Sequence, residues 1–131
     1  MNDTELQHRV RCEVARCMAI ARTRWPALAG MPEPAVDFAL RRMACGTAKL
    51  KEWRVSINMV VLRADPAHIV DHTAAHEVAH LVHYKLVPSD FHGRGRRALH
   101  GRNWQAVMRA FGVKPERVYR APPEVMEALR A

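Results

Sequence analysis

The pentapeptide His76-Glu77-Val78-Ala79-His80 sets two imidazoles four positions apart with a carboxylate beside the first. On a helix that spacing projects both rings from one face, a turn apart, within reach of one zinc ion at about 2.0 to 2.1 Å. The carboxylate then lies beside the metal, where it can take a proton from water whose pKa the metal lowers. Water so activated attacks an amide carbonyl, which is the chemistry of a metallopeptidase. In this reading His76 and His80 hold the metal and Glu77 is the general base. Eight histidines in 131 residues make such a pattern easier to meet by chance. Its apolar flanks, Val78, Ala79, Leu81 and Val82, are nevertheless those of a helix seated in a core.

A catalytic zinc takes a third protein ligand and keeps its fourth position for water. The candidates are His72, His83, His92 and His100, or an acid such as Glu124 or Glu127. His72 extends the same stripe, but three successive turns of a straight helix do not converge readily on one ion. His83 is rotated off the metal face. A ligand from outside the helix closes the coordination sphere from the other side, which favours the two histidines downstream, His92 and His100.

These residues need elements to position them. Asp3 or Thr4 is expected to cap a first helix, with Leu6, Val10, Val14, Cys17, Met18 and Ala21 as its apolar stripe. It should end before Trp25-Pro26. Val36, Phe38 and Leu40 alternate with polar partners, as do Trp53, Val55, Ile57 and Met59, so strands are expected there, the second reaching about Val60, with Gly46 in a bend or hairpin. Asp65-Pro66 is a helix start, and that helix should carry His76 to His80 and stop near Leu86, ahead of Pro88. SDFHGRGRRALHGR reads as a loop. A second amphipathic helix follows, with Trp104, Val107, Met108 and Phe111 on one face and Gly112 at its end. PPEVMEALRA adds a last short helix. The layout is α+β in one domain, residues 1–131: a small antiparallel sheet packed with a metal-binding helix and flanking helices.

His100-Gly101-Arg102-Asn103-Trp104, with Met108 and Phe111-Gly112 behind it, resembles the H-G-x-x-W-x-x-x-M segment of the SprT-like zinc metalloproteases, the SprT/Spartan type. Gly46-Thr47-Ala48 and Trp53-Arg54-Val55-Ser56-Ile57-Asn58 are similar to the strand pair that precedes the zinc helix in that family. The resemblance covers about residues 5 to 120 in the same order. It implies a zincin-like minimal metalloprotease fold, zinc on His76, His80 and His100, and Glu77 as catalytic base. It also implies an endopeptidase acting on proteins bound to or crosslinked with DNA, hence a part in DNA-protein crosslink repair. The spacer between His80 and His100 is longer than in compact bacterial members and contains a competing His92-Gly93. The Trp104 and Met108 partners follow His100, so the resemblance assigns the third ligand there. Many members carry a cysteine-rich zinc ribbon after the protease domain; no cysteine follows Cys45 here, so one zinc ion is expected.

Charge points to the same partner. The chain carries 21 Lys and Arg against 13 Asp and Glu, a net +8. Residues 94–120 hold eight bases and one acid, so +7 of that excess lies in one stretch. A localised positive field suits a polyanion, DNA first. Arg94, Arg96, Arg97 and Arg102, interleaved with Gly93, Gly95 and Gly101, form a basic loop beside the proposed third ligand, where guanidinium groups would hold phosphates. Two other functions share this composition. One is a zincin of another class, with Glu124 or Glu127 as an acidic third ligand and a peptide or regulatory-protein substrate. The other is a non-catalytic DNA-binding module with structural zinc, although structural sites usually use four protein ligands. Cys12, Cys17 and Cys45 lack metal or disulfide spacing and are expected to be small core residues in a reducing compartment. No apolar window approaches the length of a membrane span, so a cytoplasmic monomer without a membrane partner is expected.

Overall fold

The computed structural model of the chain describes residues 1–92, 99–116 and 119–131. Helix α1, Asp3–Arg24, buries the expected stripe, Leu6, Val10, Val14, Cys17, Met18 and Ala21. Its cap is Asn2, one residue earlier than expected, whose side chain accepts from the Glu5 N–H at 2.9 Å. The helix stops at Trp25, because Pro26 starts a short 3-10 turn, Pro26–Leu28, in its place.

Three short strands follow: β1 (Ala35–Asp37), β2 (Gly46–Lys49) and β3 (Arg54–Ile57), in the order β1-β3-β2. β2 and β3 are the antiparallel hairpin, with Ala48 opposite Val55. β1 pairs parallel to β3, with Val36 beside Val55, so the sheet is mixed where a wholly antiparallel one was expected. Alternation of apolar residues reports which face is buried and is blind to strand direction. Direction is set instead by the 38–45 connection, which passes around the end of β3. Asn58 hooks that connection through its Nδ2, which donates to the carbonyls of Arg42 and Ala44 at 2.9 and 3.0 Å. The expected continuation of β1 to Leu40 shrinks to a single bridge between Ala39 and Asn58.

The second expected strand also ends early, at Ile57. Asn58 Oδ1 accepts from the Val60 N–H at 3.0 Å and caps helix α2, Met59–Ala64. A side chain that caps the next turn offers the backbone an alternative to the ladder, which is why the apolar run 59–62 becomes helix. Asp65 then caps the next helix as its sequence predicts, its Oδ1 accepting from His68 N–H with Pro66 in the first turn. Helix α3, Pro66–His68, runs through a π-helical turn, Ile69–Thr73, into α4, Ala74–Leu86. Beyond a 3-10 turn, Pro88–Phe91, α5 spans Arg102–Ala110 and α6 Pro123–Arg130. Gly112, at φ 75°, takes the left-handed conformation that ends α5.

Helix α4 is the centre of the packing: α1, β2 and α5 all lie against it, while α6 packs on α2. Trp104, Phe111, Met18, Leu28, Leu62, Ile69 and Leu81 are among the largest fully buried side chains of the core. Of the cysteines Cys17 is buried in that core, Cys45 is half-buried and packs against it, and Cys12 is exposed; all three are free thiols. Among the described residues no helix is long and apolar enough to cross a membrane.

Candidate metal centre

Ala74, Ala75, Val78, Ala79, Leu81 and Val82 are fully buried, which fixes the rotation of α4 about its axis. The same rotation leaves His76 and His80 half-buried on the opposite side, facing the start of α5. His100, just ahead of α5, completes a group. The three Nε2 atoms lie 3.1 Å (His76 to His80), 3.1 Å (His80 to His100) and 3.2 Å (His100 to His76) apart. A tetrahedral ion with bonds of about 2.0 to 2.1 Å separates its donor atoms by about 3.3 to 3.4 Å. The three nitrogens therefore outline one face of a coordination tetrahedron, and they are the group among the described residues able to hold a metal ion.

Their protonation suits that use. Burial first, and the neighbouring His100 and His72 rings after it, push His76 down to about 3. Burial and the His76 and His100 rings push His80 down to about 2. Both imidazoles are neutral near pH 7. The Glu116 backbone acts on the His76 ring in the opposite sense, but less than burial does. The His76 Nε2 faces the other two histidines, so a neutral ring with its proton on Nδ1 leaves the Nε2 lone pair for a cation. Trp104, fully buried, sits behind all three rings at centroid distances of 4.8, 5.6 and 4.9 Å, and its Nε1 donates to the His76 carbonyl at 3.4 Å. Gln105 Nε2 donates to the His100 carbonyl at 3.0 Å. The family-like Trp thus walls the group, and the helix that carries it holds His100 by its backbone.

Glu77 is 8% exposed, with Oε2 4.0 Å from His76 Nε2. Burial raises its carboxyl to about 8. A cation among the imidazoles favours the carboxylate and acts against that shift. The first residue of β2 presses against this side chain: a Cβ on Gly46 would meet Thr73 Cγ2 at 2.9 Å and Glu77 Cγ at 3.2 Å. Gly46 is therefore a close-approach glycine in a strand and not the bend its type suggests. Two clefts flank the group. One, of about 220 Å³, is lined by Cys45, His68, His72, Glu77 and Tyr119 among others; the other, of about 140 Å³, is mostly apolar, with Ala48, Leu50, Phe91 and Leu99.

The remaining candidates stand elsewhere. His72 sits on the π turn, its ring stacked on His68 at 5.3 Å, and its buried Nε2 has no hydrogen-bond partner among the described residues. His83 is fully buried with Nε2 2.7 Å from Asp90 Oδ2. His92 is exposed and outside the group, and Glu124 and Glu127 are exposed on α6. Arg102 is exposed as the first residue of α5, two positions after His100. Arg94, Arg96 and Arg97 lie outside the described residues. Gly46 and the Asp90 contacts escape the sequence because they act through an absent side chain and through partners distant in the chain. Tyr119 escapes it too, although its OH donates to the helix-capping Asp65 at 2.7 Å and its ring stacks on His68 at 3.7 Å.

Comparison with known proteins bears on the whole arrangement. The model of the SprT-like family matches residues 16–126. The chain is 28% identical to Protein SprT of Vibrio parahaemolyticus over 119 residues, 90% of this chain and 67% of that one. It is 38% identical to Protein SprT of Pseudomonas paraeruginosa over 89 residues, 67% of this chain and 50% of that one. It is 29% identical to Protein SprT of Vibrio atlanticus over 129 residues, 98% of this chain and 68% of that one. The chain thus spans between half and about two thirds of the length of these relatives. No solved structure matches it. A match to the family model that takes in β1 to β3, the helix of His76 to His80 and the segment of His100 to Trp104 places this chain in the SprT-like family.

Proposed function

We propose that the chain is a zinc-dependent endopeptidase of SprT type that cleaves proteins bound to or crosslinked with DNA. The observation that carries this reading is the convergence of three imidazole nitrogens within 3.2 Å of one another, with the Glu77 carboxylate 4.0 Å from one of them. Three histidines suit zinc and leave a fourth position open, as catalytic sites do and structural ones do not. Bound there, zinc supplies Lewis acidity, activating water and polarising the scissile carbonyl. Glu77 takes the proton of the attacking water on its carboxylate and delivers it to the leaving amine nitrogen. Its burial behind Gly46, where a Cβ would meet Glu77 Cγ at 3.2 Å, keeps it aimed at the group. Trp104 excludes water from behind and holds the α4 backbone at His76.

Support for DNA is the +7 carried by residues 94–120. Exposed Arg102 sets one of those charges beside the proposed site. Phosphates held along this stretch would keep a DNA-bound protein near the two clefts. The test is cleavage of a DNA-binding protein by the zinc-loaded chain, with and without DNA, using Glu77→Gln as control. The expected result is DNA-stimulated cleavage by wild type, lowered about 10²- to 10⁴-fold in Glu77→Gln with zinc retained. Equal cleavage by both proteins removes the mechanism; cleavage indifferent to DNA and to salt removes the DNA-linked substrate class.

A further inference from the structure

The chain leaves α4 after Leu86 and must return to it twenty residues past His80 for His100 to meet the other two imidazoles. A long excursion closes on its target at an entropic cost, and a ligand at its end is poorly placed unless something shortens the free path. One carboxylate oxygen stands at both ends of this excursion. Asp90, in the 3-10 turn just beyond α4, has Oδ2 2.7 Å from His83 Nε2 on α4 and accepts from Asn103 Nδ2 on α5 at 2.9 Å. His83 is fully buried, and the Phe91 ring packs on it at 4.7 Å and on Tyr84 at 5.2 Å, so the α4 anchor is rigid. Asn103 lies three residues from His100 and next to Trp104, the wall of the imidazole group.

We infer that Asp90 and Asn103 form a clasp, anchored on His83, that closes the 91–102 excursion at its base and positions His100 for metal binding. With the clasp made, His100 is located by a three-residue arm from a fixed point on α4. Without it, His100 is held only from the α5 side, through Trp104 and Gln105, and the path back from Leu86 is untethered. None of the three residues touches the proposed metal; they are positioning residues acting through His100. Burial of Trp104, Val107, Met108 and Phe111 already docks α5 on the core, so the clasp sets where His100 sits and not whether the helix forms.

This inference rests on the reading that His76, His80 and His100 bind zinc, and its test separates the two. Zinc affinity of the full chain is measured by competition with a chromogenic chelator, alongside thermal unfolding of the metal-free protein. Asn103→Ala is expected to raise the zinc Kd about 10- to 100-fold, the range for residues that orient metal ligands, with the metal-free protein unfolding as wild type does. Asp90→Ala should do the same, and Asp90→Asn, whose amide oxygen still accepts, should recover most of the affinity. In a His100→Ala background, which should not retain zinc on purification, the weak residual affinity of His76 and His80 should not fall further on Asn103→Ala, since its only route to the metal is gone. Wild-type affinity in Asn103→Ala overturns the clasp, as does an equal loss in the His100→Ala background, which marks a general structural effect. A wild-type chain that binds no zinc overturns the parent reading and the clasp with it.

Discussion

His76 and His80 reach the imidazole group because the far side of α4 is sealed in the core, whereas His100 reaches it on a segment that departs after Leu86 and re-enters the core at Trp104. The first pair is positioned by helix geometry, backed by Val78, Ala79, Leu81 and Val82, and any change there is a change to the fold. The third histidine is positioned by side-chain contacts at a few points: Gln105 to its carbonyl, Trp104 behind its ring, and Asp90 with Asn103 at the base of its loop. A helix face is set by many weak contacts at once, and a returning segment by a few replaceable ones. Changes on the helix side should therefore disturb stability and site together, and changes to the polar contacts of the return side, Asp90, Asn103 and Gln105, should disturb metal binding alone.

Acid is the strongest way to press on the helix side. In the metal-free protein His76 and His80 are held down at about 3 and about 2, against an ordinary 6.5. Below about 6.5 the unfolded chain binds protons that the folded one refuses, so the stability these groups contribute is complete above 6.5 and drains as pH falls toward 3. Glu77 works in the opposite sense. Raised to about 8 from 4.5, it keeps a proton in the folded state that the unfolded carboxyl has lost, so its contribution declines as pH rises from 4.5 to 8. Two imidazoles outweigh one carboxyl between 4.5 and 6.5, and below 4.5 they act alone. Urea unfolding of the metal-free chain should show maximum stability near pH 6.5 and the steepest loss below 4.5, and Glu77→Gln should flatten the alkaline side. A flat profile from pH 7 to 4 would break the contrast, since it would mean these rings are not buried neutral.

A smaller perturbation sharpens the same contrast within the helix side. Gly46→Ala places a methyl 2.9 Å from Thr73 Cγ2 and 3.2 Å from Glu77 Cγ. Overpacking of this kind costs about 1 to 3 kcal/mol. Because the crowded groups are Glu77 and the turn before it, cleavage should fall further than zinc affinity does. A variant that loses zinc and keeps cleavage per bound zinc would show that β2 supports the histidines and not the carboxylate.

Legibility in the sequence follows the same division. The α1 stripe, the Asp65-Pro66 start, the His76 to His80 face and the Trp104, Val107, Met108 and Phe111 face are all periodic patterns backed by local signals, and each stands in the structure at its expected place. The parallel pairing of β1 does not follow from any local signal, because the 38–45 connection takes its course from Asn58, a residue thirteen positions or more downstream. Asn58 also reads equally as strand or cap until its side chain is seen to bond Val60 N–H. The π turn at Ile69–Thr73 leaves no mark in the sequence that a plain helix would lack. His100 could be chosen over His92 only by resemblance, since both are loop histidines followed by glycine. The contact that distinguishes them, the meeting of His100 with His76 and His80, is tertiary.

Three histidines, one of them borne by the return segment, are proposed to hold a single metal ion. Metal analysis of the purified chain and its His100→Ala and His92→Ala variants tests it most directly. One zinc per chain in wild type and in His92→Ala, with its loss in His100→Ala, is the predicted result. Zinc retained by His100→Ala and lost by His92→Ala would contradict it.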